Sequence, residues 1–305
     1  MRKLCVIYNI FEGHGRKNIP YYLDAFKSLI YQTAHDPQEY KLAVSGCKVT
    51  QDTKNCLAGE FAFATHNYID ELYPVNITFN HTVSKMRERY GEFEAYVYVD
   101  SGVNFWNLQH GMACLYDTFK SKDYGIVCAD PSNDKGYEYW GAQFMPGPIV
   151  EIPLGKAMNA HCNLYSGELV KAYGRVLPDI FASDTSESVH SFMCAALRKK
   201  MAIDKRVSVF HNHNMDGGSA YREENRPFLF ATTRKMEEIC EEGKPYGLGW
   251  EECDPKRGLM HDASKYDSEG LSIEPKLKDF IKDNLFLRPS EFDYSLIKSQ
   301  FLGGN

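Results

Sequence analysis

The chain holds no CxxC pair, although it contains nine cysteines: Cys5, Cys47, Cys56, Cys114, Cys128, Cys162, Cys194, Cys240 and Cys253. Their scatter, mostly in apolar surroundings, excludes a zinc ribbon or disulfide scaffold and points to reduced thiols in a core. No window approaches the roughly 18 consecutive apolar residues of a membrane span. The opening "MRKLCVIYNIFEGHG" carries a short apolar run interrupted by Asn9 and Glu12, so it reads as a first strand and not a signal peptide. These absences together lead us to expect a cytoplasmic protein, soluble or attached at a membrane surface, with no transmembrane segment. There is no excess of positive charge either: the net charge is −6, which argues against a nucleic-acid backbone as partner. The one basic run, "RKK" at Arg198 to Lys200, is assigned to a helix face. No internal repeat or low-complexity tract occurs. "NIT" at Asn76 and "NHT" at Asn80 match the glycosylation acceptor pattern, a match of little weight without a secretion signal.

What is present is core-forming sequence. With 305 residues and 43% hydrophobic content the chain can bury one large α/β domain or two ordinary ones. "KLCVIYNI" is a strand, and "IPYYLDAFKSLIYQT" sets Tyr22, Ala25, Phe26, Leu29 and Ile30 at helical spacing behind Pro20. "YKLAVSGCKV" is a second strand, broken at Ser45-Gly46. A helix is expected in "NYIDELY", a short strand in "VNITFN", and a charged helix in "HTVSKMRERYGEF", leading into the strand "AYVYVDSG". This alternation predicts a doubly wound, mainly parallel α/β sheet, Rossmann-like. In such sheets ligands sit beyond the carboxyl ends of the strands, where Asn9, Ser45 and Asp100 would project.

Further along, "YGIVCADP" is a strand, "HCNLYSGELVKAYG" a strand or turn running into a helix, and "ESVHSFMCAALRKKM" a helix capped by Ser186. "RVSVFHNHNMDGG" is a further strand. The layout expected is a catalytic domain over residues 1–240, with a nucleotide-binding half at 1–103 and an acceptor half at 104–240. A loop-rich extension with short amphipathic segments, "KLKDFIKDNLF" and "FDYSLIKSQFL", occupies 241–305.

Three features carry chemistry. Asp100 ends an apolar, aromatic strand, placing a carboxylate at the sheet rim, where it can either hold a divalent cation against a diphosphate or cap the next helix. His211 and His213 alternate with asparagines at the end of another strand; one is a candidate metal ligand beside Asp100, and both are otherwise surface or hydrogen-bonded histidines. Asp179, Asp184 and Glu187 crowd a loop leading into a helix, where a carboxylate suits a general base or a helix cap. "GYEYWGAQF" and Trp250 offer aromatic rings for sugar faces or for core packing.

In order along the chain, "VIYNIFEGHGRKNIPYYLDAFKSLIYQT", "YGEFEAYVYVDSGV" and "GRVLPDIFASDTSESVHSFMCAALRKKMAI" resemble the opening, metal-motif and acceptor segments of family-2-like glycosyltransferases of the GT-A fold. "VSVFHNH" sits where some members place a third metal ligand. The resemblance covers about residues 3 to 220. It implies that Tyr8, Asn9, Ser45, Asp100 and Ser101 border a nucleotide, and that Asp100 with His211 or His213 holds Mn2+ or Mg2+ on a nucleoside-diphosphate sugar. It further implies that Asp184 or Glu187 deprotonates an acceptor hydroxyl, carbohydrate or other, with inversion. Two positions depart from the pattern: Ser45 and Gly46 replace the acidic end of the second strand, and Gly102 stands where a second Asp is expected. Gly102 favours a second reading, a noncatalytic nucleotide- or carbohydrate-binding protein of the same fold. "EGHGRKN" at Glu12 to Asn18 favours a third, a nucleotidyltransferase with a phosphate loop.

Overall fold

The computed structural model describes residues 2–12, 18–33, 40–106, 108, 110–131, 145–156, 161–179, 186–211, 226, 228, 234–250 and 259–286. The first strand, β1 (Arg2–Phe11), is apolar on both sides and is followed by α1 (Ile19–Thr33), whose buried face is Tyr22, Ala25, Phe26 and Leu29. Next come β2 (Tyr40–Cys47), α2 (Gln51–Glu60), β3 (Thr65–Ile69), α3 (Val75–Tyr90) and β4 (Phe93–Asp100). β1 pairs in parallel with β2 and β4, and β2 with β3. The strand order β3-β2-β1-β4 means that the chain winds outward from β1 and then crosses back to β1's other side. The switch point therefore lies between β1 and β4.

The second half adds β5 (Val103–Asn104), α4 (Gly111–Ser121), β6 (Tyr124–Pro131), β7 (Ile149–Glu151), β8 (Cys162–Ser166), α5 (Gly167–Tyr173), α6 (Ser186–Ala196) and β9 (Lys200–His211). β8 lies antiparallel between β4 and β6, β6 and β9 are parallel, and the short β5 and β7 both join β9 antiparallel. Beyond it, residues 234–243 form α7, β10 (Leu248–Trp250) pairs with β11 (Leu259–His261), and α8 (Lys276–Leu285) ends the described chain. The expected doubly wound α/β sheet is thus present.

Both sheet faces are covered, which is why the strands read as nearly continuous apolar runs. On β4, Ala95, Val97 and Val99 enter one core with α1, α2 and α4, while Tyr96 and Tyr98 enter the other with α3, α5 and α6. Leu277, Ile281 and Leu285, one turn apart on α8, join this second core, and the Phe286 ring stacks on Tyr173 at 5.1 Å. Each such side chain, fully buried, stabilises by about 1.5–3 kcal/mol.

Several local expectations are corrected. "NYIDELY" holds the end of the edge strand β3 and no helix, and "VNITFN" is the start of α3, not a strand. Its β-branched alternation is misleading: Asn76 and Asn80 are a buried i,i+4 pair on one side of the helix, and Thr78 and Thr82 another on the opposite side. α2 was unforeseen because it buries only Thr53 and Leu57. Arg198 to Lys200 do not ride on a helix face: Arg198 turns the chain with φ 55°, Lys199 pairs with Asp123 and Glu168, and Lys200 starts β9. Ser186 is the first helical residue of α6. Asn76 and Asn80 are 0% and 1% exposed, so neither accepts a glycan in the folded chain. All eight described cysteines are free thiols.

Candidate functional site

Toward the carboxyl ends of β1, β2 and β4, Asn9 is in register with both Ser45 and Asp100. Register neighbours point to the same face of a sheet, so these three polar residues share the rim at the switch point. Ser45 is fully buried; its hydroxyl donates to the Thr78 carbonyl at 3.3 Å and accepts from Thr82 at 2.8 Å. Asn9 is 6% exposed, and its Oδ1 is buried with no hydrogen-bond partner among the described residues. A buried amide oxygen without a donor loses about 1–3 kcal/mol, a loss that a donor brought by a ligand removes.

The turn after β4 is pinned from the opposite core. Tyr8, stacked on Phe26 at 5.2 Å, donates its hydroxyl to the Ser101 carbonyl at 3.0 Å, and Tyr21 donates to the Gly102 carbonyl at 2.6 Å. The Gly102 N–H then donates to Asp100 Oδ1 at 2.9 Å, with the Ser101 hydroxyl 3.3 Å from the same oxygen, while Tyr98 donates to Asp100 Oδ2 at 3.0 Å. Asp100 is held from several directions, yet 27% of its side chain is exposed.

Two histidines meet it. His211 ends β9 and is paired with Val103; its Nε2 lies 3.6 Å from Asp100 Oδ1, and its side chain is 3% exposed. His161 precedes β8, its carbonyl accepting the Asp100 N–H at 2.8 Å. The two imidazoles stack at 3.7 Å with 21° between their planes. One ligand atom from each of Asp100, His161 and His211 lies within 4.8 Å of the others. Burial works to raise the Asp100 carboxyl, but the pull of His211, then of His161 and the Gly102 amide, outweighs it and holds the carboxyl well below the usual carboxylate range.

The segment leading toward the candidate base is clamped. Asn80 Oδ1 accepts the N–H groups of Val176 and Leu177, both at 3.2 Å, and its amide donates to the Leu177 carbonyl at 2.7 Å and to Asp179 Oδ1 at 3.1 Å. Asn76 donates to the Pro178 and Asp179 carbonyls. Arg175 and Asp179 form an ion pair at 2.6 Å, with side chains 1% and 0% exposed. Asp179 is therefore a buried anchor. Asp184 lies outside the described residues, as do His213, Cys253, "GYEYWGAQF" and "FDYSLIKSQFL"; Glu187 is in the first turn of α6 and Trp250 in β10, but their side chains are not described.

The structure thus brings Asn9, Ser45, Asp100, Ser101 and His211 to one rim, with Tyr8 supporting the turn beneath. Sequence reasoning missed His161. No spacing ties it to Asp100; the antiparallel pairing of β8 with β4 does, through Val99 opposite Cys162. Its position just before a buried strand, "HCNLYS", was the available signal.

No family model and no curated protein matches the sequence. Among solved structures, a mannosyltransferase from Pyrobaculum calidifontis, in complex with GDP-Man and Mn2+, aligns over 77% of this chain at 14% identity with a TM-score of 0.52. The chain spans 65% of that protein's length. Glucosyl-3-phosphoglycerate synthase from Mycobacterium tuberculosis aligns over 76% of this chain and 77% of its own at 13% identity, TM-score 0.48. TarS from S. aureus aligns over 78% of this chain and 42% of its own at 12% identity, TM-score 0.48. The first likeness establishes the fold, the GT-A-type α/β arrangement.

Proposed function

We propose that this chain is a glycosyltransferase that moves a sugar from a nucleoside-diphosphate sugar to an acceptor hydroxyl with inversion. The observation that carries the reading is the convergence of Asp100, His161 and His211 at the switch-point rim, beside the unpartnered Asn9 amide oxygen. The fold shared with a mannosyltransferase that binds GDP-Man and Mn2+ supports it. One carboxylate and two imidazoles are donors that suit a divalent ion, so the three residues fit one. A bound ion, Mn2+ or Mg2+, supplies positive charge that offsets the charge developing on a diphosphate leaving group.

The chain's own residues do the rest. Asn9 takes a donor group of the nucleotide, with the backbone at Tyr8 and the Ser45 and Ser101 positions bordering the same crevice. Tyr8, Tyr21 and Tyr98 keep the Asp100 turn rigid, which matters because a site loose by about an ångström loses rate steeply. Asp184, or Glu187, takes the proton from an acceptor hydroxyl that attacks the anomeric carbon from the face opposite the leaving group. The transition state is oxocarbenium-like. In this reading residues 1–240 form the catalytic unit and 241–305 an extension.

Release of nucleoside diphosphate from a panel of nucleotide sugars, with simple hydroxyl acceptors, tests the reading. Wild type is expected to turn over one donor class, Asp100→Asn none, and Asp184→Asn to bind donor without transfer. Full turnover in Asp184→Asn moves the base to Glu187; turnover unchanged in Asp100→Asn overturns the reading.

A further inference from the structure

Gly102 brings no side chain to the rim, and its backbone N–H donates to Asp100 Oδ1, so the turn contributes one carboxylate and no second acidic ligand. The remaining ligand atoms of the described cluster are imidazole nitrogens, from His161 and His211. We propose that this is a nitrogen-rich centre that selects a late first-row divalent ion, of the Co2+ or Zn2+ kind, over Mg2+. The inference deepens the transferase reading and rests on it for the role of the ion, though not for its identity.

The argument is one of donor chemistry and fixed geometry. Mg2+ takes oxygen ligands in near-octahedral array and gives up its waters reluctantly, whereas imidazole suits the later transition ions, with affinity rising from Mn2+ toward Cu2+. A single carboxylate among the described residues gives Mg2+ one favourable ligand from them. The two rings are already stacked at 3.7 Å, and Nε2 of His211 is 3.6 Å from Asp100 Oδ1. Metal–ligand bonds of about 2.0–2.2 Å set neighbouring ligand atoms roughly 3 to 3.6 Å apart; the Asp100–His211 pair already has that spacing, and turning the His161 ring out of the stack brings its nitrogen, now within 4.8 Å of the others, to the same ion. Strand pairing fixes both histidines: His161 through its carbonyl on the Asp100 N–H, His211 through its pairing with Val103. Tyr98 and the Gly102 N–H orient the carboxylate from outside the ligand set, as supporting shells of metal sites do. Three ligands from the described residues would leave room for oxygens of a diphosphate.

The test is calorimetric titration of the full chain with Co2+, Zn2+, Mn2+ and Mg2+, without nucleotide, in a Cys56→Ser background because that thiol is exposed. Co2+ is expected to bind at least about 100-fold more tightly than Mg2+, with Mn2+ between them. His161→Gln is expected to weaken Co2+ by about 10-fold or more, and His161→Asp to narrow the Co2+ to Mg2+ ratio by a similar factor. Proton spectra of the Co2+ protein give a readout independent of affinity: two strongly shifted exchangeable imidazole N–H signals in wild type, one in His161→Gln. A melting temperature in chelator establishes that each variant is folded. Mg2+ binding within 10-fold of Co2+, or His161→Gln retaining both signals, overturns the inference. Failure of the two readings is distinguishable: Co2+ selectivity without binding of any nucleoside diphosphate removes the transferase reading alone, and tight nucleotide binding supported equally by Mg2+ and Co2+ removes the metal choice alone.

Discussion

At Asp100 the chain concentrates three hydrogen-bond donors and two imidazoles on one carboxylate at the end of a buried strand. Replacing it with Asn keeps the shape but removes the charge; metal-dependent nucleotide binding is expected to fall by at least 100-fold, while the melting temperature in chelator stays within a few degrees, as titration calorimetry and thermal melts report. His190 on α6 is the opposite case: it is 0% exposed, both ring nitrogens lack partners among the described residues, and it meets the Tyr165 ring edge-on at 5.6 Å. Burial pushes its pKa down to about 3. The folded chain keeps this imidazole neutral while the unfolded chain protonates it near 6.5, so the unfolded state binds more protons between those values. Stability is present above about pH 6.5 and is lost as pH falls toward 3, by about 1.4 kcal/mol per pH unit for one such group. His81, lowered to about 4 by burial and then by Lys85, acts in the same direction. His190→Phe is expected to flatten the acid limb of urea midpoint against pH; parallel limbs for the two proteins would contradict the assignment.

At the scale of elements, α3 and the segment after α5 act together. Asn76 and Asn80, one turn apart, bond the backbone of residues 176–179, and the Arg175–Asp179 pair closes the same junction. Asn80→Ala strands several buried backbone groups and is expected to lower unfolding stability by roughly 2–4 kcal/mol. Arg175→Met removes the guanidinium that faces the buried Asp179 charge, a loss of about 3–5 kcal/mol, and joint replacement with Asp179→Leu should recover much of it; urea denaturation of the three variants checks both statements. A similar argument holds at Gly46, where a Cβ would meet the Ile10 carbonyl oxygen at 2.7 Å and Val49 Cγ2 at 2.6 Å. Gly46→Ala forces β1 and β2 apart at the rim, and a loss of about 1–3 kcal/mol is expected in the same assay. These elements also show what the sequence could convey. α1 was legible because its apolar residues recur at helical spacing. The first turns of α3 were not, because they bury Asn76, Thr78, Asn80 and Thr82 beside Ile77 and Phe79, and the backbone that Asn76 and Asn80 bond lies about 100 positions away with no local signature; its charged second half was read as a helix. Asp100 and His211 were legible as polar residues ending apolar strands; His161 depends on which strand pairs with β4, and only the folded sheet decides that.

At the scale of the whole molecule, the β3-β2-β1-β4 order and the return of β8 beside β4 bring residues 9, 45, 100, 161 and 211 to one edge of a single sheet. The helices are shared between the two faces, and α8 adds its apolar stripe to the face lined by α3, α5 and α6. No helix among the described residues is long and apolar enough to cross a membrane. The measurement that tests the central claim most directly is the melting temperature of the full chain against a panel of nucleoside diphosphates, with and without Mn2+ or Co2+. A ligand present at 100 times its Kd adds about 2.7 kcal/mol to a state that alone binds it, which for a chain of this length is a shift of about 4 °C. The account predicts such a shift with one nucleoside diphosphate, dependent on the metal and absent in Asp100→Asn; no shift with any of them, or a shift indifferent to metal, would contradict it.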